Sequence, residues 1–163
     1  MKKAVLTASF LFLVPGAHAQ SPVPVTIDNF ARAESDLYFG NGIKDAGGPG
    51  KLFHHREPMA IDKQGVIRSN RDTLYSMAVI DLDAGPVTIT LPDAGNRFRS
   101  LMVVNEDHYI VGDIQYRAGR YTYDRKQVGT RYALTRNVPG AGTNWPVFRL
   151  DTTGRVHDFS PGL

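Results

Sequence analysis

The sequence contains no cysteine. This absence excludes disulfide bonds, thiolate nucleophiles and cysteine-ligated metal sites. A protein of this composition that works outside the cytoplasm must be held together by the packing of its core. The 163 residues are enough for one domain with a substantial core.

Long hydrophobic runs and dense basic clusters are also missing. The longest apolar-leaning run, Ala4 to Val14, has eleven residues, whereas a helix that spans a bilayer needs about 20. The arginines between residues 97 and 136 are scattered and form no basic run that would follow a nucleic-acid backbone. We therefore predict no nucleic-acid partner, and no transmembrane anchor once a signal peptide has been removed.

Residues 1–19 have the three parts of a cleavable signal peptide. Lys2 and Lys3 form the basic start, Ala4 to Val14 is the apolar centre, and Ala17 and Ala19 are small residues where signal peptidase reads them. The alternative interpretation is an uncleaved N-terminal anchor helix. We predict cleavage after Ala19 and a periplasmic location. The whole sequence has a formal charge of +3, and removal of Lys2 and Lys3 lowers it by two. The pI of about 9.3 for the whole sequence therefore overstates the basic character of the mature chain.

The common catalytic and nucleotide-binding motifs are missing too. The chain has no G-x-S-x-G, G-x-x-x-x-G-K-S/T, G-x-G-x-x-G or H-E-x-x-H, so serine-hydrolase, nucleotide-binding and zincin functions have no support. His54 and His55 are adjacent, and on an extended chain such neighbours point to opposite sides. We interpret them as a surface pair in a loop and predict no metal site. The sequence assigns no catalytic residue and no cofactor, and leaves open whether the protein is an enzyme.

Helical periodicity indicates one amphipathic helix of about four turns between Val23 and Gly42. Thr26 is the predicted N-cap, and Gly40-Asn41-Gly42 is the predicted C-terminal stop. The residues that recur at helical spacing, and so define the predicted packing face, are Ile27, Phe30, Ala31, Glu34, Leu37 and Tyr38.

Alternating polarity and Gly/Pro/Asp turns indicate strands in the rest of the chain, and their spacing favours an antiparallel sandwich or barrel. We expect Val87–Leu91 and Arg97–Asn105 to pair as a hairpin. Residues 137–163 are punctuated by Gly, Pro and polar residues, which predicts an irregular, loosely held tail with one short strand in Val147–Leu150. The predicted strands before that tail are Thr73–Leu82, Val87–Leu91, Arg97–Asn105, Tyr109–Tyr116, Gly119–Tyr123 and Arg131–Arg136.

A polar block, Ser69 to Ser76, runs directly into the apolar segment Met77 to Ile80. An unpaired buried polar group costs roughly 1–3 kcal/mol, so the block needs fixed partners. It is either a polar network that braces the start of a strand or the wall of a binding site. Strand alternation puts Arg71 and Tyr75 on one face and Asp72 on the other.

A second polar group lies where the predicted strand ending at Asn105 meets a loop. Asp107 and His108 follow Asn105, with Glu106 between them, so two carboxylates adjoin an imidazole. That chemistry suits a general base or a metal ligand, but it also fits a charged turn in which His108 bonds to the backbone. The candidate ligand-binding residues of the whole chain are therefore Arg71, Asp72, Tyr75, Asn105, Asp107 and His108.

The motif N-R-D-T-L-Y-S at Asn70 to Ser76, with its flanking residues from Gln64, resembles the exported bacterial family called domain of unknown function 1254. The resemblance covers roughly Val25 to Arg136. It implies an immunoglobulin-like antiparallel β-sandwich, here preceded by the N-terminal helix and so mainly β. No activity is firmly attached to the family. The other segments that fit it are Ile80–Leu82, Pro86–Asp93, Arg97-Phe98, Asn105–Tyr109 and Tyr116–Tyr121.

The chain departs from that family in two ways. The usual second β-rich domain is missing, and residues after Arg136 stop resembling the family. We therefore predict a sandwich domain over residues 20–136 and a tail over 137–163 that arises from truncation or a frame shift. Three functions follow: a periplasmic domain that binds a small polar or anionic ligand, a non-catalytic module that docks a second β-domain or another exported protein, or an inactive remnant.

Overall fold

A computed structural model describes residues 22–64, 70–138 and 149–152; the predicted signal peptide lies outside these ranges. Within them, no helix is both long and apolar enough to cross a bilayer. The elements in the described ranges are α1 Phe30–Ala46, β1 Phe53–His55, β2 Tyr75–Asp81, β3 Val87–Leu91, β4 Ser100–Asn105, β5 Gly119–Tyr123, α2 Arg125–Val128, β6 Tyr132–Val138 and β7 Arg149–Thr152.

The strands form two antiparallel sheets, ordered β1-β2-β6-β4 and β5-β3-β7. Alternation builds the core between them: β3 buries Val87, Ile89 and Leu91, while Ile80 and Leu101 project from the larger sheet. The predicted immunoglobulin-like antiparallel β-sandwich with an N-terminal helix is confirmed.

The predicted hairpin between the strands at residues 87–91 and 97–105 is wrong. β3 pairs with β5 and β7, and β4 pairs with β6, so the two strands belong to different sheets. β4 begins only at Ser100. The eight residues 92–99 therefore cross from one sheet to the other, which a tight hairpin turn would not allow.

The predicted strand Tyr109–Tyr116 is also wrong. This segment runs beside β4 and makes only two isolated bridges, Val104 with Ile110 and Leu101 with Gln115. Gly112 lies between the two bridges with a left-handed φ of 66°. A residue in that conformation interrupts the extended backbone that a continuous ladder requires.

Helix α1 starts later and ends later than the sequence predicts. Thr26 is not the N-cap, because α1 begins at Phe30. The helix continues through Gly40-Asn41-Gly42 and ends at Ala46, followed by Gly47 in the left-handed conformation (φ 74°). Gly42 is a point of close approach to the sheet: a Cβ there would lie 3.7 Å from Val79 Cγ2. Packing against β2 therefore outweighs the weak helix propensity of these glycines.

The face of α1 that packs on the sheet is not the predicted one. Phe39 forms a buried cluster with Val79 and Tyr132, and Ser35 is buried as well. By contrast, Ile27 is 93 % exposed and Leu37 is 60 % exposed. The rotation of the helix is set by polar contacts to the loop after β4, described below, which outweigh burial of the apolar stripe.

Residues that the sequence assigned to the tail contribute to both sheets. β6 continues to Val138, and β7 (Arg149–Thr152) pairs with β3 over four residues. Of the short strand predicted at Val147–Leu150, the first two residues lie outside the described ranges. β7 thus begins later than predicted and extends through Asp151 and Thr152.

Candidate functional site

The six candidate residues fall into two groups at opposite ends of the larger sheet. At one end of the sheet, Asn137 of β6 pairs with Ser76 of β2 and with Leu101 of β4. At the other end, Ala133 of β6 pairs with Ile80 of β2 and with Asn105 of β4. Four residue steps at about 3.3 Å each separate these two rows by roughly 13 Å. We call them the Tyr75 end and the Asn105 end. The structure does not gather the six residues into one pocket.

At the Asn105 end, the buried Asn105 side chain organises the loop. Its Nδ2 donates to the carbonyl oxygen of Val128 at 3.1 Å, and its Oδ1 accepts from the backbone N–H groups of Asp107 and Tyr109, both at 3.0 Å. All of these bonds are internal. Asn105 therefore holds the turn after β4 and ties it to the end of α2.

The carboxylates beside Asn105 are bound to α1 and β6. Arg32 of α1 makes a bidentate salt bridge with Asp107, in which Nη2 lies 3.0 Å from Oδ2. The Arg32 Nη1 also lies 3.6 Å from Glu106 Oε2. That same Glu106 oxygen accepts from the Tyr132 N–H at 3.1 Å, and Ser35 Oγ donates to the Glu106 carbonyl oxygen at 2.9 Å. The hydrogen bond to Asp107 raises the pKa of the Arg32 guanidinium. These contacts pin α1 to the sheet and set its rotation.

His108 is the exposed corner of this turn. Its φ of 65° is left-handed, which is uncommon for a residue other than glycine. Its backbone N–H donates to the Asn105 carbonyl oxygen at 3.1 Å, and its Nε2 lies 3.7 Å from Glu34 Oε2. This geometry favours the charged-turn interpretation. Within the described ranges, no three His, Asp or Glu side chains come close enough together to hold a metal ion.

At the Tyr75 end, Asn70 organises the signature motif. Its Oδ1 accepts from the Asp72 N–H at 2.8 Å, which closes an Asx turn. Its Nδ2 donates to the Tyr75 hydroxyl at 2.7 Å and to Thr73 Oγ1 at 3.2 Å. Asn70 was not a candidate, although its position two residues before Asp72 is the spacing of an Asx turn. The motif thus braces the start of β2.

Arg136 is the functional candidate that sequence reasoning missed. Its guanidinium carbon lies 4.2 Å from the centroid of the Tyr75 ring. The register explains this: Arg136 is level with Met77, so it shares a sheet face with Tyr75 two residues away. In the part of the chain that the structure describes, no carboxylate pairs with Arg136 or with the exposed Arg71. The pairing of β2 with β6, which brings Arg136 here, is not readable from the sequence.

The arginines at the Asn105 end have carboxylate partners. Arg131 forks onto the buried Asp81, with Nη2–Oδ2 at 2.9 Å and Nε–Oδ1 at 3.1 Å, and Arg125 Nε lies 3.2 Å from Asp83 Oδ1. The hydrogen bond to Asp81 raises the pKa of Arg131. Acidic side chains therefore neutralise Arg131 and Arg125 at this end, while Arg71 and Arg136 at the Tyr75 end have no carboxylate partner among the described residues.

Arg99, the residue before β4, is a further unpaired guanidinium. It is 3 % exposed. Its one hydrogen bond runs from Nη2 to the Tyr116 carbonyl oxygen at 3.5 Å, while Nε and Nη1 have no partner in the described residues. A buried charge without a partner costs several kcal/mol. An arginine cannot avoid this cost by losing its proton, because its pKa is too high.

The histidines of β1 are not the surface loop pair that the sequence predicts. Both lie in a strand and are half-buried: His54 Nδ1 is 2.7 Å from Ser76 Oγ, and the His55 ring meets Phe53 edge-on at 4.7 Å. Burial lowers the pKa of both imidazoles. A Ser–His contact resembles a nucleophile with its base, and here Ser76 is fully buried on the inner face of the larger sheet.

Among curated proteins there is no significant match. The crystal structure of the VPA0106 protein from Vibrio parahaemolyticus is similar to this chain with 18 % identity and a TM-score of 0.47, covering 69 % of this chain and 31 % of that one. This chain thus spans about a third of that protein's length.

A family described as "Protein of unknown function (DUF1254)" matches residues 49–154. The match begins after α1 and continues beyond Arg136, where the sequence-based resemblance was expected to stop. It therefore includes β7, which completes the smaller sheet. Because the matched region is more than half of the chain, this protein belongs to the DUF1254 family of proteins of unknown function.

Proposed function

We propose that this protein is an exported, periplasmic domain that binds a small anionic ligand at the Tyr75 end of the larger sheet. One observation carries the proposal: the Arg136 guanidinium is stacked on Tyr75 and has no carboxylate partner among the described residues. The basic, apolar and small-residue pattern of residues 1–19 supports export.

Stacking prepares Arg136 to recognise an oxyanion. The Tyr75 ring is held by the bond from Asn70 Nδ2 to its hydroxyl, so the guanidinium lies against a fixed surface. Its N–H groups form the planar fork that matches a carboxylate or phosphate group. Less side-chain entropy is lost on binding because the fork is already oriented.

Arg71 and Asp72, which precede Tyr75 by four and three residues, complete the proposed site. Both are exposed, and neither side chain makes a hydrogen bond within the described ranges. Arg71 supplies a second positive charge, and Asp72 supplies an acceptor for a hydroxyl or ammonium group of the ligand. Asn105, Asp107 and His108 are left out of the site because their polar contacts hold α1 and the turn after β4.

The proposal is tested by the thermal stability of the mature chain in inorganic phosphate, compared with chloride at the same ionic strength. We expect phosphate to raise Tm of the wild type and Arg136→Gln to remove most of that rise. Lys126→Gln in α2 is the control, because it removes the same charge from an exposed position at the Asn105 end. Equal phosphate effects in both variants would refute specific binding at Arg136.

A second candidate function is a non-catalytic interaction module. The observation that favours it is the apolar side of α1, where Phe30 is 54 % and Leu37 60 % exposed, next to Ile27 at 93 %. This face would dock another exported protein. Sedimentation in periplasmic extract tests it: a complex formed by the wild type but not by Leu37→Ser supports docking, and wild type that sediments as a monomer contradicts it.

A further inference from the structure

The unpaired guanidinium of Arg99 lies inside the sandwich, separate from the surface group around Arg136. Strand alternation puts Arg99 on the same face of β4 as Leu101 and Val103, both of which belong to the core between the sheets. Its 3 % exposure agrees with this inward orientation. Arg136 lies on the opposite face of the larger sheet, together with Met77 and Tyr75. The two arginines therefore lie on opposite sides of this sheet.

The carboxylates that could neutralise Arg99 are committed elsewhere. The buried acidic residues, Asp81 and Glu106, are bound by Arg131 and Arg32 at the Asn105 end. Arg99 precedes β4 at the other end. Within the described residues it forms no salt bridge, and its Nε and Nη1 have no hydrogen-bond partner.

A second unpaired polar group lies on the same inner face. Thr135 is level with Val103 and with Ala78, and its fully buried Oγ1 has no partner in the described residues. Ser76, two residues before Ala78, adds a buried hydroxyl that contacts His54 Nδ1 at 2.7 Å. The inner face from Thr135 towards the Tyr75 end thus holds a cation and two hydroxyl groups beside the apolar side chains of Leu101 and Val103.

We propose that Arg99 is an interior binding site for an oxyanion, a carboxylate or phosphate group that enters between the sheets at the Tyr75 end. Arginine offers only donors, so the complementary group must offer several acceptors. A negative charge is also required, because a neutral acceptor would leave the guanidinium charge uncompensated. The Thr135 hydroxyl, on the same face, is available to donate to the same ligand or to a water that bridges to it.

Arg99→Met separates this role from a structural one. Methionine keeps much of the side-chain length without the charge, so in chloride at fixed ionic strength, without phosphate or acetate, we expect the variant to be at least as stable as the wild type. With inorganic phosphate or acetate, Tm of the wild type should rise with the logarithm of anion concentration, and Tm of Arg99→Met should rise less, by only the part that the surface site at Arg136 provides. Arg136→Gln is the control and should keep the part of the rise that Arg99 provides.

A direct readout covers the case in which Arg99→Met does not fold. The Nε–H signal of Arg99 in a nitrogen–proton correlation spectrum is assigned by its loss in Arg99→Lys, and we expect it to shift saturably with phosphate or acetate. An Nε–H signal that does not move with either anion would overturn the inference, as would an anion effect that Arg99→Met retains in full. An effect lost only in Arg136→Gln would overturn it and leave the proposed surface site standing.

Discussion

Replacing Asn105 by alanine is the sharpest test of what the Asn105–His108 corner does. The substitution removes three hydrogen bonds at once: one to the Val128 carbonyl oxygen and two from the Asp107 and Tyr109 N–H groups. The corner also carries the contacts to α1. If it is structural, the loss should appear as a large fall in the free energy of unfolding.

The magnitude follows from the burial of the groups left behind. Val128 is 2 % exposed, so its carbonyl oxygen loses its Asn105 partner in a buried environment, at a cost of about 1–3 kcal/mol. Asp107 is half-buried and Tyr109 is exposed, so water replaces part of those two bonds, and each is worth about 0.5 kcal/mol. We expect a total destabilisation of about 3 kcal/mol.

Urea unfolding followed by circular dichroism measures this change directly. We expect Asn105→Ala to lower the unfolding midpoint without changing the slope, because the surface exposed on unfolding stays the same. Asn96→Ala is the matched control: the same substitution in an exposed turn, expected within about 0.5 kcal/mol of the wild type. A loss for Asn105→Ala no larger than for Asn96→Ala would refute the structural role of the corner.

Two further predictions concern charge. Asp81→Asn should destabilise the protein by about 2 kcal/mol, because it removes the buried charge that makes two hydrogen bonds with Arg131. The control, Asp113→Asn at an exposed position, should have little effect. Equal urea midpoints for the two variants would contradict this prediction. Burial lowers the folded-state pKa of His54 and His55 below the unfolded value of about 6.5. Their contribution is therefore complete above about pH 6.5 and is lost as the pH falls through the folded pKa values. Unfolding midpoints across about pH 5–8 should show this loss, and a double change to Gln should reduce it; an unchanged pH profile in the double variant would exclude these histidines as its cause.

The strands β3 and β5 were predictable because their local signals agree. Both have the predicted bounds, since clean alternation or tight Gly turns set their ends. The pairing of the strands was not predictable. A hairpin from β3 to β4 satisfies the same local pattern, and only the competition among all strands for partners sends them to different sheets.

The face of α1 shows a second limit of local pattern. The apolar spacing of Phe30 and Leu37 suggests that they pack on the sheet, but both are exposed. Arg32 and Ser35 lie on the face that meets Asp107 and Glu106, 71 to 75 residues away along the chain. No periodicity within the helix encodes those distant partners.

In the candidate sites, too, some residues are brought together by local sequence and others only by the tertiary fold. Arg71, Asp72 and Tyr75 stand in one motif, so their proximity follows from the chain itself, and the Asx turn of Asn70 is a local structure. Arg136 and Arg99 each depend on a strand register or on the order of strands in a sheet. The residues that carry the two ligand proposals are thus ones whose importance appears only after folding.

From its sequence alone this protein is a cysteine-free, mainly β chain with the N-R-D-T-L-Y-S signature of its family, because composition, alternation and turn residues act over short distances. Tertiary structure alone decided which charges are neutralised. It brought Arg32 and Arg131 to carboxylates and left Arg99 and Arg136 without any in the described residues. The physical reason is that a salt bridge needs a contact of about 4 Å or less, and contacts between distant residues exist only once the sheets have assembled.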